Sequence, residues 1–381
     1  MENISLYRYT EEQIRHDLGK GKIVILYGAR QTGKTTIIKR FLNDRKSVYY
    51  NCDQEATKTA FESNNLAELS SLVSNYDLII IDEAQRVKNI GLSLKILIDN
   101  FKSKDFIVTG SSSLELSNTI SEPLTGRFFS HTLYPVGEIE LSHHFDPTYQ
   151  KERLDDRLIY GSYPEVILTS DKNDKKRIIE NISANYLFKD VLNLEIIKNA
   201  DNLKKLLQAV ALQLGGEVSL NELANMLDID KNTVKKYLEV CQKLFILFSL
   251  PPYHRNQRAV ISKQKKYYFY DLGIRNALIN NFNPLAIRSD AGGLWENYAI
   301  IERLKYNASR FYSPTCYFWR SYQKQEIDFI EDNAGILTGF EMKWGNGIIS
   351  KNIKNMFTDE LKGEKLNVVR RDGYEKILFG K

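Results

Sequence analysis

The chain has few cysteines and no long apolar segment. Its three cysteines among 381 residues, Cys52, Cys241 and Cys316, are far apart and odd in number. They indicate neither a disulfide framework nor a closely spaced metal site, so we expect free thiols in a reducing compartment. The most apolar runs, at 77–81 and 244–250, are too short to cross a bilayer, and the N-terminus lacks the apolar core of a signal peptide. We therefore expect a cytoplasmic protein without membrane association.

The chain also lacks a strong charge of one sign. Its formal net charge is +5, with 43% apolar and 27% charged residues. These values are ordinary for a globular protein and argue against extensive disorder. A charge this small does not by itself indicate a nucleic-acid partner. The length allows two or three domains.

Five short apolar runs alternate with helical patterns in the first 140 residues. The runs lie at 23–27, 48–52, 78–81, 106–109 and 128–133. Continuous apolar strands separated by helices are typical of a parallel sheet that is buried on both faces. We predict one doubly wound α/β domain, with the 106–109 strand between the 23–27 and 78–81 strands.

A complete phosphate-binding motif, G-x-x-x-x-G-K-[ST], follows the first run and precedes a helical pattern. Its glycines allow backbone N–H groups to surround phosphate oxygens, and the helix N-terminus adds partial positive charge. The alternative is a glycine turn that happens to precede a helix. We predict ATP binding, with Lys34 on the β- and γ-phosphates and Thr35 on Mg²⁺. The predicted nucleotide-binding residues are Gly28, Ala29, Arg30, Gln31, Thr32, Gly33, Lys34, Thr35 and Thr36.

Two carboxylates follow the third apolar run. Asp82 and Glu83 end a buried strand, at the sheet edge where ligands of such folds bind. We predict that Asp82 holds the Mg²⁺ shell and that Glu83 polarises the attacking water. A solvated acidic pair at a strand end is the alternative, which the preceding motif makes less attractive.

Two further catalytic candidates rest on weaker patterns. Ser111 follows the fourth run and could sense the γ-phosphate, although a serine there could equally cap the next helix. Arg127 precedes the fifth run and could neutralise transition-state charge, in the same chain or across a subunit contact of an oligomer. Surface arginines are common at strand starts, which is the alternative.

These motifs resemble those of one family. It is the archaeal and bacterial predicted ATPases of the AAA+ superfamily, which carry an uncharacterised C-terminal domain. The resemblance implies ATP binding and hydrolysis and leaves the biological task open. It extends over nearly the whole chain, through residues 28–36, 81–86, 109–113, 126–127, 133–135, 161–165, 268–273 and 295–297.

A helix-turn-helix pattern follows at 219–244. Ser219 and Glu222 form a capping-box pattern, and a second helix begins after Asp230. Residues 231–275 contain ten lysines and arginines against two acidic residues, a net charge of +8 that exceeds that of the whole chain. We predict a winged-helix unit whose second helix contacts DNA through its basic start. A protein-contact module with a solvated basic face is the alternative.

A third set of polar residues lies near the C-terminus. Glu296 lies in a helical pattern, Asp328 in an alternating strand, and Glu341 and Lys343 two residues apart in the next strand. This order resembles the metal site of the restriction-endonuclease-like fold. Period-2 spacing places Glu341 and Lys343 on one face, so that Asp328, Glu341 and Glu296 could ligate a second metal beside Lys343. A surface ion-pair ladder is the alternative.

The predicted fold is α/β: an AAA+-type P-loop core at 1–145, a helical lid at 146–200, a winged-helix unit at 201–262 and a nuclease-like domain at 263–381. The predicted function is Mg²⁺-dependent ATP hydrolysis by a DNA-associated protein. The alternatives are a nucleotide-gated switch that binds a protein partner and an ATP-regulated, metal-dependent nuclease.

Overall fold

The computed structural model describes residues 5–110, 123–185, 199–254, 264–321, 323 and 325–380. The chain forms two compact units, one of residues 1–136 with 243–245 and the other of residues 137–242 with 246–381. Within the described ranges, no helix combines the length and the apolar composition that crossing a membrane requires.

The first unit is built on a five-stranded parallel sheet. Its strands are β1 (Ile23–Tyr27), β2 (Ser47–Asn51), β3 (Leu78–Asp82), β4 (Asp105–Gly110) and β5 (Phe128–Thr132), in the order β2-β3-β4-β1-β5. The helices of this unit are α1 (Tyr9–Asp17), α2 (Lys34–Lys39), α3 (Glu55–Glu62), α4 (Leu66–Val73) and α5 (Ile90–Asn100). The fold prediction is confirmed, including the position of β4 between β1 and β3.

Alternate residues of the same strands enter two separate apolar clusters. Ile79 and Ile81 pack in one cluster with residues of α3, α4 and α5, whereas Leu78 and Ile80 pack in the other with residues of α1 and α2. Both faces of the sheet are therefore buried, which explains why the strands are continuous apolar runs.

The second unit begins with the short helices α6 (Glu138–Leu141), α7 (Pro147–Glu152), α8 (Leu154–Tyr160) and α9 (Pro164–Leu168), followed by the longer α10 (Lys172–Asn185). Next come α11 (Ala200–Leu212), β6 (Glu217–Val218), α12 (Leu220–Leu227), α13 (Lys231–Lys243), β7 (Leu247–Leu250), β8 (Lys265–Phe269) and α14 (Leu272–Leu278). The three strands form an antiparallel sheet in the order β6-β8-β7.

The last elements include a four-stranded mixed sheet. They are α15 (Ala291–Ser309), β9 (Thr315–Arg320), β10 (Glu326–Asn333), β11 (Ile336–Lys343), α16 (Lys351–Asn355), β12 (Lys365–Arg370) and α17 (Tyr374–Phe379). The strand order is β12-β11-β10-β9, in which β9, β10 and β11 are antiparallel neighbours and β12 lies parallel to β11. The sequence pattern did not predict β12.

Two predicted boundaries differ from the structure. The first unit ends at Val136 rather than at 145, because the start of α6 bonds to a later helix: the backbone N–H of Glu138 donates to Glu302 of α15 at 2.7 Å. The second difference concerns β8, which we placed in the nuclease-like domain. It pairs with β6 and β7 instead, so a boundary at 262 would divide one sheet.

Candidate functional site

The loop between β1 and α2 has little space for side chains where it leaves the strand. A Cβ built on Gly28 would lie 2.4 Å from the carbonyl oxygen of Leu133. Gly33 has a φ of 98° immediately before α2 begins at Lys34. Both positions therefore require glycine, the first for close backbone approach and the second for its left-handed conformation.

The predicted phosphate-binding lysine lies inside this loop. Lys34 is 5% exposed, and its ammonium donates to the carbonyl oxygens of Gly28 at 2.8 Å and Ala29 at 2.9 Å. The buried Thr32 hydroxyl also donates to Ala29, at 2.8 Å. The loop thus surrounds the Lys34 ammonium, and this positive charge is suited to binding phosphate. Of the remaining predicted residues, Gln31 and Thr36 are exposed and Arg30 is half-buried.

Asp82 accepts three hydroxyl hydrogen bonds at the end of β3. Its Oδ2 accepts from Thr35 at 2.8 Å and from Tyr49 at 2.7 Å, and its Oδ1 accepts from Thr109. Asp82 is 2% exposed. Burial and the bond to this carboxylate raise the pKa of Tyr49. The two predicted magnesium ligands, Thr35 and Asp82, are therefore in direct contact, and a hydroxyl with a carboxylate suits Mg²⁺.

Glu83 follows in a left-handed conformation, with a φ of 54°. Its backbone N–H donates to the Thr109 hydroxyl at 3.1 Å, and its carboxylate accepts from the side-chain amide of Gln85. Thr109 thus connects the Asp82 carboxylate to the Glu83 backbone. The backbone of Glu83 is therefore connected to Asp82 through Thr109, whereas its carboxylate is held by Gln85.

Of the two weaker candidates, the structure describes only Arg127, and it lies away from this loop. Ser111 lies outside the described residues. Arg127 lies where β1 and β5 begin, since its carbonyl accepts from the Ile23 N–H at 2.9 Å. Its guanidinium pairs with Asp99 at 2.8 Å. The five-residue β1 separates it from the loop by about 16 Å. This placement excludes a contact between Arg127 and the phosphates of an ATP molecule bound to the same chain. A contact between Arg127 and an ATP molecule bound to another subunit stays a prediction.

The basic segment is less exposed than its charge predicts. At the start of α13, Lys231, Lys235 and Lys236 are exposed, and Lys235 lies 4.0 Å from Glu239. Lys266 and Arg275 are each 1% exposed and form ion pairs. These two buried cations do not contribute to the positive potential at the protein surface. The net charge of +8 therefore overstates the positive charge that this segment exposes.

Two tyrosines of the same segment are not available to stack on bases. Tyr267 is 7% exposed, and Tyr268 is fully buried. Residues 255–263, which include part of the positive charge, lie outside the described residues.

The predicted C-terminal carboxylates lie on three adjoining elements. Asp328 of β10 accepts from the Met342 N–H of β11 at 2.7 Å. The register of β10 with β9 shifts between Ile327 and Ile330, around Asp328. Glu341 of β11 accepts from the ammonium of Lys343 at 2.6 Å. The pairing of Glu341 with Lys343 along one strand follows the predicted period of two.

A group of three carboxylates could hold a cation here. Glu296, Glu326 and Asp328 each offer an oxygen that lies within 4.8 Å of the other two. Beside them, Oε2 of the 4%-exposed Glu341 has no hydrogen-bond partner among the described residues. An acceptor buried without a partner is unfavourable, so this oxygen suits a metal ligand. The residues therefore fit a divalent cation.

The electrostatics of this group also indicate unbalanced negative charge. Burial raises the pKa of Asp328 well above its usual range, and the charges of Glu296 and Glu341 raise it further. Burial likewise raises the pKa of Glu341, against the opposing effect of Lys343. Carboxylates held this close repel one another unless a cation or a proton intervenes.

Several residues of these sites were not predicted from the sequence. Thr109 could have been found, because it lies one residue before the end of β4, whose place beside β3 was predicted. Glu326 could also have been found, since it precedes Asp328 by two positions in an alternating strand. Tyr49, Lys266 and Tyr268 carry no such signal, because their contacts depend on tertiary structure.

Comparison with protein families divides the chain into three parts. Residues 20–141 match the model of the AAA domain family. Residues 151–285 and 291–377 match two families described as domains of unknown function, DUF8612 and DUF4143. Residues 20–141 are therefore similar to AAA-type P-loop ATPase domains, and they are followed by two regions whose families have no assigned function.

Relatives resemble the chain over most of its length. An uncharacterized protein of Mycobacterium tuberculosis is 26% identical over 353 residues, covering 91% of this chain and 76% of that protein. One from Methanocaldococcus jannaschii is 24% identical, covering 93% and 84% respectively. The Walker-type ATPase of Pyrococcus abyssi aligns with a TM-score of 0.53 at 15% identity, covering 73% of this chain and 97% of that one. This last likeness supports the fold alone.

Proposed function

We propose that the protein is an ATPase that hydrolyses ATP with Mg²⁺ and acts in association with DNA. The observation that carries the ATPase proposal is the contact between Thr35 and Asp82 at 2.8 Å, next to the buried ammonium of Lys34. A lysine for the phosphates and a hydroxyl and a carboxylate for the metal, which a P-loop enzyme needs, thus lie together at one edge of the sheet.

Each residue has a distinct role in this proposal. Lys34 exchanges its loop carbonyls for β- and γ-phosphate oxygens when ATP binds. Thr35 and Asp82 hold Mg²⁺, which would neutralise charge on the phosphates. Glu83 accepts a proton from the attacking water. Thr109 fixes the position of the Glu83 backbone relative to the Asp82 carboxylate, because it forms a hydrogen bond with each.

Two variants test these roles separately. Lys34→Ala should abolish ATP binding, because the loop loses the cation at its centre. Glu83→Gln should bind ATP as the wild type does but lose at least about a hundredfold in kcat, because the general base is removed. Binding is measured by calorimetry and turnover by phosphate release, with the exposed Lys46→Ala as the matched control. Wild-type turnover by Glu83→Gln would show that the water is activated elsewhere.

The DNA proposal rests on the helical region 200–243 with its small sheet. Helices α11, α12 and α13 with β6, β7 and β8 have the element order of a winged helix. Asp230 caps the start of α13 by accepting from the N–H groups of Asn232 at 2.8 Å and Thr233 at 3.0 Å. The exposed lysines at this start are suited to phosphate contacts.

A metal-dependent nuclease is the second candidate. Helix α15, the antiparallel β9, β10 and β11, α16 and the parallel β12 have the order of a restriction-endonuclease-like core. The specific observation in its favour is Oε2 of Glu341, which has no hydrogen-bond partner in the described part of the chain, together with the carboxylates of Glu296, Glu326 and Asp328.

One experiment addresses both DNA proposals. Labelled duplex DNA is incubated with the full chain, ATP and Mg²⁺ or Mn²⁺, and is scored for retardation and for cleavage. Retardation that weakens with salt supports DNA association. Cleavage that Asp328→Asn abolishes supports the nuclease. The absence of both outcomes would favour a nucleotide-gated switch that holds a protein partner.

A further inference from the structure

A buried lysine from outside the mixed sheet lies among the carboxylates of the second site. Lys266 belongs to β8, and its side chain is 1% exposed. Its ammonium donates to Glu296 Oε1 at 3.1 Å and forms an ion pair with Glu326. Two of the three carboxylates that could hold a divalent cation therefore already hold a monovalent one.

The same strand makes a second contact with this group. The hydroxyl of Tyr268, two residues after Lys266, donates to Glu296 Oε1 at 2.5 Å. The ring of Phe318 lies 5.4 Å below the Lys266 ammonium. Since β8 is the central strand of the sheet β6-β8-β7, its pairing fixes the point at which both side chains leave the backbone.

An ammonium and a divalent metal compete for the same lone pairs. Mg²⁺ requires oxygens at about 2.0–2.1 Å in octahedral arrangement. A buried ammonium that already contacts one oxygen each of Glu296 and Glu326 occupies part of this ligand set and repels a second cation at close range. A buried lysine without its carboxylates would itself be unstable, so the ion pairs hold it in place.

We infer that Lys266 is a built-in counter-ion that closes the acidic site to metals, and that a divalent cation binds Glu296, Glu326 and Asp328 only after this ammonium leaves. The inference rests on the proposed metal site but not on DNA cleavage. It predicts that Lys266 neutralises part of the negative charge of the site in the resting protein, and that the metal affinity of the site is set by a residue of the three-stranded sheet β6-β8-β7.

Removal of the charge on Lys266 tests the inference. Lys266→Gln keeps an N–H donor for Glu296, and Lys266→Met is the fully apolar variant; either suffices if the other fails to fold. Mn²⁺ binding to the full chain without nucleotide is followed by the electron paramagnetic resonance signal of free Mn²⁺. We expect the Mn²⁺ affinity to rise at least about tenfold over that of the wild type, because the competing cation is gone.

Two further variants locate the effect. Lys265→Met, at the preceding position of the same strand, should bind Mn²⁺ as the wild type does. Lys266→Gln combined with Asp328→Asn should lose the gained binding. Mn²⁺ should also raise the melting temperature of Lys266→Gln more than that of the wild type, because it replaces the missing counter-ion.

The outcomes separate this inference from the nuclease proposal. Equal Mn²⁺ affinity in the wild type and Lys266→Gln, whether strong or absent, would overturn the inference. Gained Mn²⁺ binding supports it even if no variant cuts DNA. Cleavage by the wild type with an Mn²⁺ affinity that Lys266→Gln leaves unchanged would support the nuclease and refute the role of Lys266.

Discussion

Asp82→Asn is the sharpest probe of the nucleotide site, because it changes charge without changing shape. In the wild type one carboxylate accepts from Thr35, Tyr49 and Thr109. The asparagine amide has only one acceptor atom. We expect its oxygen to retain Thr35 and Tyr49, while its nitrogen turns to Thr109, whose hydroxyl can accept instead of donating.

The effect on stability follows from the type of hydrogen bond. Bonds to a charged group contribute about 1.5–3 kcal/mol each and neutral ones about 0.5–1.5 kcal/mol. Three weakened bonds would lower the free energy of unfolding by about 3 kcal/mol, but an amide is less costly to bury than a carboxylate. The expected net loss without nucleotide is therefore about 1–2 kcal/mol.

The effect on ligand binding is larger and more specific. Mg-ATP at about a hundredfold above its Kd adds about 2.7 kcal/mol to the free energy of unfolding. An amide is a poorer ligand than a carboxylate for a hard cation. Asp82→Asn should therefore lose the part of this increment that depends on Mg²⁺ and keep the part that depends on ATP alone.

Thermal melting with ATP and Mg²⁺, compared with ATP and EDTA, measures this difference. Asp99→Asn, which changes a carboxylate 42% exposed in its side chain and paired with Arg127, is the matched control. The wild type and the control should show a Mg²⁺-dependent rise in melting temperature, and Asp82→Asn should show little. A full Mg²⁺-dependent rise in Asp82→Asn would refute its assignment as a metal ligand.

Two predictions concern the second unit. Neutralising Lys231, Lys235 and Lys236 together with glutamine should weaken DNA binding and reduce the slope of log K against log salt by up to about 3, since up to three phosphate contacts are lost. Lys204→Gln with Lys205→Gln, exposed on α11, is the control; an unchanged slope in the triple variant would favour a protein-contact module. Asp328→Ala with Glu341→Ala should abolish any Mn²⁺-dependent rise in melting temperature of Lys266→Gln, and a persisting rise would place the metal elsewhere.

The sequence was sufficient for the features that depend on contiguous residues. The P-loop needs glycines and a lysine at fixed spacing between a strand and a helix, so a single segment specifies it. The strands of the first sheet were also predictable, because burial on both faces leaves an uninterrupted apolar run in each. The location of Asp82 and Glu83 at the carboxyl edge of the sheet was predictable as well, because the strands are parallel and the two residues stand at the end of one of them.

Only the tertiary structure decided which side chains meet across segments. Tyr49 lies on a different strand from Asp82, and nothing in its local sequence distinguishes it from other half-buried polar residues. Lys266 was counted as surface charge, yet strand pairing places it, 30 residues before Glu296 in the chain, among buried carboxylates. The contacts of a side chain depend on sheet order and register. Burial then determines whether a lysine serves as a surface charge or as the counter-ion of a site.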